Sequence, residues 1–179
     1  MNATQLQLIL PRSIGTARLD PGAISSIESD ENAGWSAAVV VGITGLANGL
    51  ALSQSTDLGY LAIVTAFAGN YVAWLVFGTL VFLIGVGVLP GESTQAEATP
   101  GGVLRPLGFA TAPNILGVAG VFGITGQVLG LIGLIWMAVC GFVVIRVTLR
   151  VTRGRALAIW AISSVLTIML LNIVAAVIG

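Results

Sequence analysis

Residues 106–145, PLGFATAPNILGVAGVFGITGQVLGLIGLIWMAVCGFVVI, contain no charged side chain over about 40 positions. A transmembrane helix needs roughly 20 consecutive apolar residues to cross about 30 Å of hydrocarbon. The run is therefore too long for one crossing and suits two crossings joined by a tight turn, for which Gly123-Ile124-Thr125-Gly126 is the best candidate. We predict a third span at 107–122 and a fourth at 127–146.

The composition extends this interpretation to the rest of the chain. Hydrophobic residues make up 56% of the sequence and charged residues only 8%, and the mean hydropathy is +1.04. Soluble domains carry about 25% charged residues, so lipid must cover most of this protein. We predict an all-α fold, a polytopic five-transmembrane-helix bundle at residues 35–179, preceded by a cytoplasmic segment at 1–34. The remaining spans are predicted at 35–52, 59–89 and 156–178.

The second predicted span is long for one crossing. We therefore expect tilt, a bend near Gly69-Asn70 or a protruding end. A polar turn at 53–58, a loop at 90–105 rich in Pro, Gly, Ser, Thr and Glu, and a basic loop at 146–155 separate the spans. These connections separate the first from the second, the second from the third and the fourth from the fifth predicted span.

The segment 1–34 is the polar part of the chain. Asp20-Pro21 has the pattern of an N-cap followed by a proline in the first helical turn. Ile24 and Ile27 then form a weak apolar stripe opposite acidic residues. Both a short interfacial helix and a disordered tail fit this pattern.

The arginines provide an independent test of the number of spans. All seven basic residues are arginines, and five spans place 1–34, 90–106 and 146–155 on one side of the membrane. That side then holds every arginine and the opposite side holds none. Because short basic loops remain in the cytoplasm, we predict a cytoplasmic N-terminus and a C-terminus on the opposite side.

Small residues recur at helix-contact spacing within the predicted spans. Glycine lets two backbones approach closely and gain dispersion contacts in lipid. We favour packing within the bundle over a face for self-association. We likewise interpret the Asn70 and Asn114 amides as interhelical hydrogen-bond partners, with the lining of a substrate path as the alternative. The predicted helix-packing residues are Gly42, Gly45, Gly49, Gly117, Gly120, Gly126, Gly130 and Gly133.

The sequence offers little for chemistry. It contains no histidine and one cysteine, Cys140, which removes the commonest general base and metal ligand and any disulfide within the chain. No ionisable residue lies deep in a predicted span, which disfavours a proton relay. Glu92 and Glu97 share a loop that does not hold them in a reactive geometry. We predict no catalytic residue, no metal site, no cofactor and no nucleic-acid partner.

The last arginines form a basic stripe on the cytoplasmic side. Arg146, Arg150 and Arg153 recur at spacings of four and three residues, and Arg155 follows them. We interpret the stripe as the topology signal, in contact with anionic lipid headgroups. A dedicated docking site is the alternative.

The segment 104-LRPLGFATAP-113 resembles the motif that opens the third span of the YIP family, the Ypt/Rab-interacting membrane proteins. In that motif an Arg is followed by a Gly, an aromatic residue, an Ala and a Pro at similar spacing. The polar N-terminus, the five spans, the Gly-rich turns and a short basic loop at 153–156 are also similar. The residues that match the motif are Arg105, Gly108, Phe109, Ala110 and Pro113.

The resemblance implies architecture more than activity. Prokaryotic relatives are mostly of unassigned function, and we expect a bacterial inner (cytoplasmic) membrane. Eukaryotic members are tied to Rab GTPases and vesicle traffic, but the short tail here has no clear acidic-aromatic segment, which argues against GTPase binding. Pro113 removes one amide donor and disfavours α geometry at Ala112, so the motif describes a bent helix entry, with Arg105 placed to snorkel at the interface.

Three functions remain open at this point. The leading hypothesis is a non-catalytic membrane scaffold or accessory subunit that packs against or stabilises a larger membrane assembly. Its partners are membrane lipids and other integral membrane proteins or further copies of the chain. The alternatives are a lipid-organising or membrane-shaping protein that uses 1–34 and the basic stripe, and a small oligomeric channel or transporter lined by the amides.

Overall fold

The computed structural model describes residues 3–91 and 98–178, and every regular element in these ranges is helical. The predicted all-α class is therefore confirmed. Residues 92–97, which include Glu92 and Glu97 of the predicted loop, lie outside the described residues. A π-helix at Ile84–Val88 continues the fourth α-helix, and a 3₁₀-helix at Ala112–Phe122 follows the fifth. The α-helices are α1 (Ala3–Ala17), α2 (Pro21–Ser29), α3 (Ala33–Ser55), α4 (Tyr60–Leu83), α5 (Pro100–Ala110), α6 (Ile124–Thr148) and α7 (Arg153–Ile178).

Four helices are long and apolar enough to cross a membrane, as an integral membrane protein requires. They are α3, α4 with its π-helical end, α6 and α7, and they coincide with the predicted first, second, fourth and fifth spans. Three of them begin two or three residues before the predicted start, at Ala33, Ile124 and Arg153. The predicted turn at 123–126 is shorter than expected. It consists of Gly123 at φ 72°, a left-handed conformation that favours glycine, and α6 begins at Ile124.

The third predicted span, 107–122, is not one continuous α-helix. Thr99 caps α5 by accepting a hydrogen bond from the Gly102 amide at 3.0 Å, and α5 ends at Ala110. The 3₁₀-helix then begins at Ala112, next to Pro113. Proline has no amide hydrogen and disfavours α geometry at the preceding residue, so the predicted change in helix geometry at this site is present.

The expected bend at Gly69-Asn70 is wrong, because α4 is a continuous α-helix through both residues. The departure from α geometry lies instead directly after the end of α4, in the π-helix at Ile84–Val88. There Gly85 packs directly against the side chain of Leu149, the residue that follows α6, and the Leu89 amide donates to the Ile84 carbonyl at 2.7 Å. A π-helical turn widens the helix and fits this close contact.

The bundle is held by two extensive contacts, between α3 and α4 and between α6 and the 3₁₀-helix, and α3 also packs along the 3₁₀-helix. The largest hydrophobic core lies where α2, α5 and the C-terminal end of α6 converge. It contains Ile24, Val81, Val103, Leu107, Val144, Ile145, Leu149 and Ile159.

The segment 1–34 contains two helices, both packed on the bundle. The predicted helix at Asp20-Pro21 is present as α2, and the Asp20 carboxylate accepts from the Gly22 amide at 2.9 Å. Ile24 and Ile27 are fully buried against protein, so the predicted apolar stripe of α2 packs in the core and the segment is not a disordered tail. Helix α1 was not predicted. Pro11 in its centre disguises a helical pattern whose apolar side chains at Leu6, Leu10 and Ile14 are exposed.

Candidate functional site

Polar side chains within the bundle bond to neighbouring helices. The Asn70 amide donates to the Val41 carbonyl at 2.7 Å and to the Thr44 hydroxyl at 2.9 Å, and the Thr44 and Thr111 hydroxyls lie 3.5 Å apart. Asn70 is thus committed to the contact between α3 and α4, whereas the half-buried Asn114 reaches Thr111 through its backbone amide, which donates to the Thr111 carbonyl at 2.9 Å. Two aromatic donors bond in the same way, Tyr71 to Ala38 O at 2.8 Å and Trp74 to Leu104 O at 2.9 Å.

The predicted helix-packing glycines all lie at contacts between elements of the chain, and each is buried or half-buried. Gly42, Gly45 and Gly49 face α4, and a Cβ atom at Gly49 would lie 2.7 Å from the Ile63 Cα atom. The structure therefore places these residues inside the bundle, away from its outer surface. The others lie along the 3₁₀-helix: Gly117 and Gly120 face Asn48 and Ala51 of α3, whereas Gly126, Gly130 and Gly133 face Ala119, Gly117 and Pro113.

The motif residues hold the N-terminal helices on the bundle. The Arg105 guanidinium donates to the Glu28 carbonyl at 2.9 Å, in the last turn of α2, where a cation is favoured by the free carbonyls and the helix dipole. Arg105 is half-buried in this contact, so its guanidinium is held by the C-terminal end of α2. Gly108 crosses α3 closely, since a Cβ atom there would lie 2.8 Å from that of Ala37, and Phe109 is fully buried.

The remaining motif residues are also structural. Ala110 is buried at the end of α5, and the Pro113 carbonyl lies close to Gly133 of α6, where an added Cβ atom would be 2.6 Å away. Arg105 and Gly108 thus join α5 to α2 and α3 at one end of the bundle, whereas Pro113 contacts the middle of α6. We call this end, where residues 3–34, 98–105 and 146–155 meet, the arginine end.

A salt bridge fastens α1 at the arginine end. Arg12 and Asp30 are separated by 2.6 Å, and their side chains are only 12% and 22% exposed. The Trp136 indole of α6 donates to the Ala17 carbonyl at the C-terminal end of α1, at 2.8 Å. Helix α1 is therefore tied both to the turn after α2 and to α6.

The basic stripe divides into two pairs. Arg153 and Arg155 begin α7, and the Arg155 guanidinium donates to the Pro90 carbonyl at 2.9 Å. Arg146 and Arg150 lie at the end of α6 and border a surface groove next to Leu19 and Pro21 at the start of α2. The first pair therefore fastens α7 beside the end of α4, and the second faces the N-terminal helices.

Glu28 is an acidic group in the same region. Burial raises the pKa of the Glu28 carboxyl, while the positive charges of Arg150 and then Arg105 act in the opposite direction. Desolvation is the larger effect, so the carboxylate form is disfavoured relative to an exposed glutamate.

The half of the bundle away from the arginine end leaves apolar surface uncovered. The buried residues of α7 end at Thr167, and the first half of α6 buries only Gly126 and Gly133, against the 3₁₀-helix. Asn172 is exposed on α7, and within the described chain its amide bonds only to its own helix, at Ile168 O, 2.8 Å away. We call this surface the open side. Its apolar side chains include Val128, Leu131, Ile132 and Ile135 of α6 and Val165, Ile168, Met169, Ile173, Val174 and Val177 of α7.

No family model, curated protein or solved structure matches this chain. Within residues 3–91 and 98–178, no group of His, Cys, Asp or Glu side chains could hold a metal ion. Cys140 is fully buried between the helices. Two surfaces of the described chain, the arginine end and the open side, are therefore the candidates for contact with other molecules.

Proposed function

We propose that the protein is a non-catalytic integral membrane scaffold or accessory subunit, and that its open side packs against a transmembrane helix of another membrane protein. The uncovered C-terminal half of α7 carries this proposal. Helices associate in lipid through dispersion contacts, small residues and interhelical hydrogen bonds. Asn172, with the small residues Ala175 and Ala176 three and four positions later, offers all three on one face.

The exposed amide of Asn172 favours another protein over lipid as the molecule that covers the open side. A polar group in hydrocarbon without a full set of hydrogen bonds is costly, and acyl chains offer no donor or acceptor. A partner helix that presents a hydroxyl or amide to Asn172 would remove this cost. Inside the bundle, in contrast, the Asn70, Tyr71 and Trp74 side chains already donate hydrogen bonds to neighbouring helices.

Loss of the Asn172 amide is expected to weaken the assembly. In the native membrane extracted with mild detergent, Asn172→Leu should reduce copurification of the partner roughly tenfold, because an interhelical hydrogen bond in lipid contributes about 1–2 kcal/mol. Gln54→Leu, an exposed amide at the end of α3, is the matched control. Quantitative mass spectrometry of the purified material gives the ratio.

Recovery of the wild-type chain as a lone monomer under these conditions would refute the proposed function. Recovery of a second copy of the chain, with Asn172→Leu dissociating it, would replace the heterologous partner by a homo-oligomer. An equal loss with Gln54→Leu would show that Asn172 has no specific role.

We also propose five crossings, with a cytoplasmic N-terminus, in the inner membrane of a bacterium and with the architecture of the YIP family. The fifth crossing is the path from Pro100 to Phe122. With rises of about 1.5 Å per α-helical and 2.0 Å per 3₁₀ residue, this path is roughly 38 Å long, which exceeds the thickness of the hydrocarbon. Along it, Gly102 lies near Glu28 and Gly120 near Ala51 of α3, which supports passage from one end of the bundle to the other.

Cysteine labelling distinguishes five crossings from four. In a Cys140→Ala background, a membrane-impermeant maleimide added to intact cells should label Thr125→Cys strongly and Thr152→Cys only after permeabilisation. Both threonines are exposed beside α6. If 100–122 did not cross, the two positions would exchange sides, and the labelling pattern would be reversed.

A second candidate function, lipid organisation, is supported by helix α1. Leu6, Leu10 and Ile14 repeat every four residues on one exposed face and are 48%, 68% and 42% exposed. Such a face at the end of a membrane bundle suits insertion among lipid headgroups. This function and the scaffold use different surfaces and are compatible.

A further inference from the structure

Helix α1 is attached to the middle of a membrane helix. The Trp136 indole donates to the Ala17 carbonyl at 2.8 Å, and Trp136 is the central residue of α6, which runs from Ile124 to Thr148. At about 1.5 Å per residue, Trp136 lies roughly 18 Å from either end of this helix. The C-terminal end of α1 therefore lies beside α6 and well inside its length.

The centre of α1 also lies beside the membrane helices. Ile9 packs on the hydrophobic core that contains Ala37 and Val40, and these two residues lie about one to two turns into α3, which begins at Ala33. Helix α1 also contacts the 3₁₀-helix, which follows α5. Contacts at several points thus place α1 alongside the spans, within the length that they cover.

The position of Trp136 limits where the hydrocarbon can end. If α1 lay in water, the hydrocarbon would begin near Trp136, and only Ile124 to Ile135 of α6 would remain inside it. This segment rises roughly 18 Å, which is too short to cross about 30 Å of hydrocarbon. Because α6 is long and apolar enough to cross, the end of α1 that bonds to Trp136 lies at hydrocarbon depth.

One face of α1 is suited to hydrocarbon. Leu6, Leu10 and Ile14 repeat every four residues and therefore form one stripe, and all three are exposed. Thr16 faces the bundle instead and is fully buried. A stripe of this kind, exposed beside membrane helices, requires an apolar environment, and acyl chains provide one.

Polar residues limit how deep α1 can lie. Gln7 and Arg18 are exposed near the two ends of the helix, whereas Arg12 is paired with Asp30. A long arginine side chain can extend its guanidinium to the headgroups while its backbone lies below them. Helix α1 therefore fits the outer part of the hydrocarbon, next to the headgroups.

We propose that α1 lies side-on within the leaflet at the arginine end, with Leu6, Leu10 and Ile14 against the lipid acyl chains. A helix in this position satisfies its backbone groups internally, as hydrocarbon requires. It widens the protein by about 10 Å, one helix diameter, in that leaflet. Amphipathic helices inserted in this way bind in a manner that depends on membrane curvature.

This inference rests on the second candidate function, lipid organisation, and deepens it by placing α1 among the acyl chains of one leaflet. The depth of α1 and the effect of the protein on lipid are measured separately. If α1 is embedded but the protein partitions equally between small and large vesicles, the embedding is confirmed and only lipid organisation is refuted.

The test is the depth of a nitroxide label in the full chain, reconstituted into phosphatidylcholine–phosphatidylglycerol vesicles. In a Cys140→Ala background, Leu10→Cys carries the label, and its collisions with oxygen, which concentrates in hydrocarbon, are compared with those of a neutral nickel chelate, which stays in water. Ser26→Cys, exposed on α2, is the matched control. We expect the ratio of oxygen to chelate collisions to be at least about tenfold higher at Leu10, because a polar solute is costly to transfer into hydrocarbon.

Three further labels make the outcome decisive. Ile14→Cys should give the ratio found at Leu10, Leu131→Cys on the exposed face of α6 provides the value for hydrocarbon, and Gln7→Cys should give an intermediate ratio. Thermal unfolding equal to that of the unlabelled protein excludes a folding defect. A ratio at Leu10 equal to that at Ser26 would place α1 in water and overturn the proposal. Few collisions with either reagent would also overturn it, because protein would then cover this face.

Discussion

Replacement of Gly126 by alanine is expected to lower the free energy of unfolding by about 3 kcal/mol. A Cβ atom at this position would overlap the backbone carbonyl of Ala119, in the tightest part of the hairpin between the 3₁₀-helix and α6. Backbone cannot rotate away as a side chain can, so the two elements must separate. Unfolding in mixed micelles, followed by circular dichroism, measures the change.

Gly69→Ala is the matched control within a membrane helix. Nothing lies within 4 Å of a Cβ atom at Gly69, and alanine stabilises a helix by about 0.5–1 kcal/mol relative to glycine. The two identical substitutions should therefore have opposite signs. A Gly126→Ala protein as stable as the Gly69→Ala protein would contradict the close approach of the hairpin.

Loss of the Arg12–Asp30 salt bridge is expected to release α1. Either Arg12→Gln or Asp30→Asn leaves the other charge in a mostly buried site, and we expect a cost of about 2 kcal/mol, between the values for exposed and buried pairs. Trypsin cleavage after Arg18, which closely follows α1, should then accelerate at least tenfold in the Arg12→Gln protein.

The double variant identifies the cause. If the pair itself holds α1, Arg12→Gln/Asp30→Asn should be no worse than either single change, because no lone charge remains. Arg153→Gln, an exposed arginine on α7, should leave cleavage after Arg18 at the wild-type rate. Additive costs in the double variant would mean that the two residues act through separate contacts.

The membrane helices followed from the sequence because hydrocarbon imposes a length and excludes charge. The predicted first, second, fourth and fifth spans lie within a few residues of α3, α4 with its π-helical end, α6 and α7. Pro113 indicated a change of helix geometry, but one proline does not dictate eleven residues of 3₁₀-helix. That length follows from packing on both sides of the 3₁₀-helix. Gly117 and Gly120 lie against α3, and Gly126 and Gly133 of α6 pack against Ala119 and Pro113.

The sites at the arginine end were less accessible to sequence reasoning. Arg12 pairs with Asp30 eighteen residues later, and Arg105 bonds to a backbone carbonyl of α2, so neither contact has a local pattern. Leu19 and Arg150 adopt a left-handed conformation that usually indicates glycine or asparagine. The repeat of Leu6, Leu10 and Ile14 was the one available signal for α1, and Pro11 concealed it.

Because Arg105 holds α2 on the bundle, a peptide that contains only the N-terminal segment lacks the contacts that stabilise this helix. Ile24 belongs to one hydrophobic core and Ile27 to another, so both lose their surroundings when the segment is cut from the helices beneath it. A synthetic peptide of residues 1–34 would present these isoleucines to water, without the guanidinium that closes the last turn of α2. Binding experiments with this peptide as bait would therefore test conformations that the intact protein does not adopt.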